Sequence, residues 1–209
     1  MLQQRLRVSF AHIGEALREP ESFALRWHWE GSPYHWSVFL ALSLTAIAGT
    51  TAYGMIMGVL GEPSDMVRAG VLCTVAAGIG WSLPLPALYI LNSLSGSRLR
   101  ASTTFLVALV TTSWGGLAMI AAIPIAWFLS IALPYKAVVL VVHLAVFTAV
   151  GIAMIDVFCR VIESVEPSRG RAPAWWLLLV GAIGGELFYA FNLFQFTALP
   201  DLVHHITGN

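Results

Sequence analysis

The stretch "GGELFYAFNLFQF", residues 184–196, sets Glu186, Tyr189, Asn192 and Gln195 at three-residue steps into an otherwise apolar run. A carboxylate among hydrogen-bonding side chains is the equipment of a proton or cation relay, or of a polar clasp between helices. A charge at the centre of a bilayer costs about 2.5–3.5 kcal/mol on insertion scales, so Glu186 needs a reason for its position. A carboxyl held neutral, a donor on a neighbouring helix, or a wet cavity would each provide one. Each three-residue step falls about 60° short of a full turn, so the polar row spirals and leaves Gln195 about half a turn from Glu186. That geometry counts against a straight channel wall and for contacts to several neighbours.

Depth limits which groups can join Glu186. It lies roughly 16 Å from the cytoplasmic end of its helix, close to the midplane, whereas Asp156 and His143 each miss its level by about 10 Å. Asp156 is better placed to meet Arg98, Arg100 or Arg160. Tyr53, Trp114 and the hydroxyls of Thr111, Thr112 and Ser113 are nearer the level of Glu186 and able to hydrogen-bond it. The sequence holds no HExxH, no supported GxSxG, no Gly-rich phosphate loop and no haem-like histidine pair. Cys73 and Cys159 stand apart in different spans, outside any metal-ligand spacing, and read as packing residues. His204 and His205, being adjacent, would point apart on a helix, and with Asp201 they read as a solvated tail. No catalytic residue, metal or cofactor is expected.

The elements that would carry these groups are membrane helices. With 58% hydrophobic and 11% charged residues, the chain has too little charge to cover a soluble surface. Its net charge of zero, with no dense basic cluster, excludes nucleic acid as a partner. Spanning about 30 Å of hydrocarbon takes roughly 20 helical residues. Five segments qualify, at about 37–60, 67–92, 102–131, 136–158 and 174–199. The expected fold is all-α: an integral membrane bundle of five transmembrane helices with an N-terminal amphipathic interfacial helix. Its regions are a cytoplasmic segment 1–36, a transmembrane domain 37–199 and a short external tail 200–209. The loops "GEPSD", "SLSGSRLRA", "LPYK" and "ESVEPSRGRAP" are too short for a soluble domain.

Leu2, Leu6, Phe10, Ile13 and Leu17 recur at helical spacing, which predicts an amphipathic helix ending near Pro20. It would lie in the headgroup zone or pack on the underside of the bundle. Trp27, Trp29 and Trp36 read as interface anchors. The first long apolar run starts near Trp36, after four arginines and four glutamates, so no cleaved signal peptide is expected. Arg98, Arg100, Arg160, Arg169 and Arg171 share a face with the arginine-bearing N-terminal segment, leaving Arg68 and Lys136 opposite. Positive-inside then places the N-terminus in the cytoplasm and the C-terminus outside. The short external regions fit a bacterial inner membrane or an organelle, and the bacterial inner membrane is the expected location.

Two GxxxG steps, Gly54 with Gly58 and Gly181 with Gly185, would let helices approach closely. Pro84, Pro86 and Pro124 are expected to kink the second and third spans.

This layout, with "FAHIGEALREPESFALRWHW" before the first span and "LPLPALYILNSLSG" closing the second, resembles the bacterial branch of the Yip1-like membrane proteins. Eukaryotic members look like adaptors of vesicle membranes that engage small GTPases. Their acidic motif is missing here, so that partner is not carried over. The resemblance and the residues converge on a non-enzymatic scaffold or accessory subunit, partnered by the bilayer and by other membrane subunits or further copies of itself. The alternative is a small transporter or proton-coupled channel, with Glu186 as relay and the three prolines as gates.

Overall fold

The computed structural model of the chain describes residues 14–30, 36–94, 96–133, 135–167, 176–191 and 193. Among these residues every regular element is helical: a turn of helix at 14–18, then α1 (Pro20–Glu30), α2 (Trp36–Met57), α3 (Pro63–Ser82), α4 (Leu85–Leu94), α5 (Ala101–Ala132), α6 (Lys136–Val165) and α7 (Trp176–Ala190). Helix is the state that satisfies every backbone donor and acceptor within one segment, which an apolar chain in lipid requires. Four stretches are long and apolar enough to cross a membrane: Trp36–Met57, Pro63–Leu94, Ala101–Ala132 and Ala137–Val165. The described part of α7 is 15 residues, or about 22 Å, short of the hydrocarbon thickness. The remainder of the expected fifth span lies outside the described residues.

Local chemistry explains where the helices begin and break. α3 opens on Pro63, whose missing N–H is not needed there, and the Asp65 carboxylate accepts a hydrogen bond from the Glu62 N–H at 3.0 Å. Pro84 and Pro86 divide the second span into α3 and α4, as expected. Both sit at the start of α4, where a helix has no use for their lost donors. Pro124 does not divide its helix as Pro84 and Pro86 do. It lies inside α5, which runs on through it to Ala132 without a break.

α2 is the central helix, packed between α5 and α3. Its crossing with α5 is the tightest in the bundle: a Cβ on Gly49 would run into the Gly116 backbone, and one on Gly116 would come within 2.8 Å of the Thr45 carbonyl oxygen. The Ser113 hydroxyl, one turn earlier on α5, lies 2.7 Å from the Leu42 carbonyl of α2 and so bonds across the same crossing. On its other side α2 meets α3 through Gly54 and Gly58. A Cβ there would lie 2.6 Å from Cys73 Cβ and 2.8 Å from the Asp65 carbonyl respectively. Thr51 and Thr74 join hydroxyls at 2.7 Å along that contact. α6 packs on α5 and also reaches α2 at Tyr53, and α7 packs on α3.

The N-terminal region departs from expectation. The chain leaves helix at Glu19 but does not stop there, because Pro20 starts α1, for which its fixed φ suits the first position. α1 docks on the bundle, with Phe23 and Ala24 fully buried against α2, α5 and α6. Of the apolar stripe, Leu17 packs on this cluster. Leu2, Leu6, Phe10 and Ile13 lie outside the described residues. Trp27 is not an outward anchor: it is half-buried, edge-on to Phe39 at 5.3 Å. Trp29 and Trp36 are exposed, as interface anchors would be.

Candidate functional site

α7 carries the group that prompted the functional question, and its neighbours define how that group is presented. One side of α7 meets α3 where Gly184 faces Gly80, whose added Cβ would lie 3.4 Å from the Gly184 Cα. Gly80 is near the middle of the Pro63–Leu94 span, so Glu186, roughly 3 Å further along α7, keeps the mid-membrane depth that its sequence position implies. A second side of α7 borders an apolar groove of about 420 Å³ between α6 and α7, floored by Trp81 and Met119. Gly181, Gly184, Gly185 and Phe188 form its α7 wall, and Phe147 and Gly151 lie on its α6 wall.

Gly181 and Gly185 therefore do not make the tight crossing expected of them. A Cβ on either would meet nothing within 4 Å among the described residues, and both are exposed. The spacing was right for a helix contact, but the neighbour at that height stands off across the groove.

Glu186 lies about 200° round the helix from Gly184, so it points away from both α3 and the groove. Its side is exposed, together with Ala182, Tyr189 and Ala190. Tyr189 is 68% exposed, which places its hydroxyl on the outer surface rather than in a helix contact. Glu186 has no hydrogen-bond or ion-pair partner among the described residues. Of the groups expected near it, Ser113 bonds Leu42, Thr112 the Leu109 carbonyl at 2.9 Å and Tyr53 His143, while Trp114 packs on a hydrophobic cluster and the Thr111 hydroxyl is buried with no hydrogen-bond partner among the described residues. Asn192 and Gln195 lie outside the described residues.

The remaining candidates fall into two separate clusters. His143 is fully buried, and its Nδ1 lies 3.0 Å from the Tyr53 hydroxyl, joining α6 to α2. Tyr53 continues edge-to-face into Phe147 at 5.3 Å, and Phe147 into Phe188 at 4.9 Å, so one aromatic row ties α2, α6 and α7 together. At the other end of the bundle, Arg160 bonds Asp156 at 3.0 Å and Glu21 at 2.9 Å, fastening α1 to α6. Of the three arginines within sequence reach of Asp156, Arg160 meets it.

Sequence reasoning missed a polar knot beside that clamp. Glu166, just past α6, accepts from the Ser97 hydroxyl at 2.7 Å and from the Arg98 N–H at 2.8 Å, while Asn92 donates to Ser97 at 3.1 Å. Asn92 at the end of one apolar span and Glu166 at the end of another, on the same face, was the available signal. Among the described residues, no three of His, Cys, Asp and Glu converge as metal ligands. Cys73 and Cys159 are both buried.

Comparisons of the chain with protein-family models, curated proteins and solved structures find no match.

Proposed function

We propose that this protein is a non-enzymatic multi-pass membrane scaffold or accessory subunit, which offers the outer face of α7 to another membrane component. The carrying observation is the direction of Glu186: a mid-depth acid turned outward, away from the groove, on an exposed face that it shares with Tyr189. A relay needs its acid in a wet cavity reached from both sides, whereas an assembly contact needs it on the surface that a neighbour covers. The arginine distribution supports a cytoplasmic N-terminus, with a bacterial inner membrane as the proposed location.

The test is Glu186→Gln in full-length protein, purified in mild detergent and reconstituted in liposomes. The amide keeps the acceptor and loses the titratable group, so co-purifying components and assembly size are expected to persist, with no change in pH-driven or ion-driven flux. Flux that is present in the parent and abolished in Glu186→Gln, with assembly intact, would reject the scaffold in favour of a proton-coupled transporter.

A further inference from the structure

We propose that the neighbour covering this face is a second copy of the same chain, paired through α7 about a two-fold axis. The inference rests on the scaffold reading and adds the identity of the partner. Its basis is that the exposed face is complementary to itself. Ala182, Glu186 and Ala190 follow at four-residue steps, so they form one ridge with small residues on either side of the acid. Small residues at that spacing let two helix backbones come close, which brings a mid-ridge polar group within reach of the facing helix.

Tyr189 stands beside this ridge, about 60° round and roughly 4.5 Å further along. Side chains on a helix lean toward its N-terminus, so the Tyr189 hydroxyl is carried back toward the level of Glu186. It makes no hydrogen bond to its own Glu186. Each copy thus presents one donor and one acceptor on the same face, within about one helical turn of each other. An isologous contact with parallel α7 helices lets Tyr189 of one copy donate to Glu186 of the other, and the reverse, leaving neither polar group in lipid. No foreign cation is required. Across the groove side of α7 the exposed surface holds only glycine and apolar side chains, so the self-complementary face is the one bearing Glu186.

The experiment uses full-length protein in native membranes. Ala182→Cys is oxidised beside Ile125→Cys, an exposed position on α5. The native Cys73 and Cys159 are buried, and the unsubstituted chain is the blank. A disulfide-linked dimer is expected from Ala182→Cys and none from Ile125→Cys. In vesicles, Glu186→Ala and Tyr189→Phe are each expected to weaken pairing about threefold to tenfold, the range carried by hydrogen bonds between membrane helices. The double variant should be little worse than either single one, and Glu186→Gln should pair nearly as well as the parent.

Equal linkage at Ile125, no linkage at Ala182, or pairing insensitive to both substitutions would overturn the two-fold contact. Linkage of Ala182→Cys to a different protein would also overturn it while leaving the scaffold reading intact. That reading fails separately, on the flux measurement.

Discussion

At the scale of single residues, the Tyr53–His143 pair is the buried polar contact whose removal has the most direct consequence. His143 is fully enclosed, and among the described residues its Nε2 has no hydrogen-bond partner, so its Nδ1 contact with Tyr53 is the one hydrogen bond the ring makes with them. Tyr53→Phe preserves the ring contacts with Phe147 and strips that bond, leaving a second buried nitrogen unsatisfied. A loss of about 1–2 kcal/mol is expected, the cost of stranding such a group when membrane bonds themselves are modest. Unfolding in mixed micelles would measure it, and Tyr53→Phe combined with His143→Phe should recover part of the loss because neither partner is then left unpaired. Sequence depth counting correctly separated His143 from Glu186. It did not find Tyr53 as the partner, because two residues 90 apart meet only once the crossing of α2 with α6 is known.

At the scale of elements, hydropathy and length made the four long spans legible, although the helix expected to end at 158 runs on to Val165, and proline chemistry located the α3–α4 break. Glycine spacing was less informative, since it states that a helix could be approached and not which helix approaches. Gly54 and Gly58 found α3, Gly181 and Gly185 found open space, and the closest crossing in the bundle uses Gly49 and Gly116, which belong to no paired motif. These three outcomes make a graded test. Gly116→Ala must push α5 off the Thr45 carbonyl of α2, and overpacking of that kind costs about 1–3 kcal/mol. Gly185→Ala has room for its methyl, so its effect on the unfolding midpoint should be close to zero. If both alanine variants unfolded alike, the α2–α5 contact would not be the tightest in the bundle.

At the scale of the whole molecule, packing α1 against α6 gathers one end of the bundle into a single polar layer. Arg26 pairs with Glu15, Arg160 with Glu21, and the Asn92–Ser97–Glu166 knot ties the α4–α5 loop to the end of α6. Arg98 and Arg100 flank that knot and are exposed, while Arg68 is exposed near the opposite end, at the start of α3. The acidic residues that share the first end do not offset this asymmetry, because orientation follows the count of lysine and arginine rather than net charge. The structure therefore sharpens an expectation about topology that the sequence could express only as a list of loops: α1, the α4–α5 loop and the end of α6 must lie on one side together. Single cysteines replacing Arg100 and Arg68, labelled in sealed right-side-out vesicles with a membrane-impermeant maleimide, read this directly. Arg68→Cys is expected to react from outside and Arg100→Cys only after permeabilisation. The reverse pattern would invert the protein, and with it the side on which α1 and its exposed Trp29 meet any cytoplasmic component. Labelling of both from one side would break the odd number of crossings between them that the Pro63–Leu94 span requires.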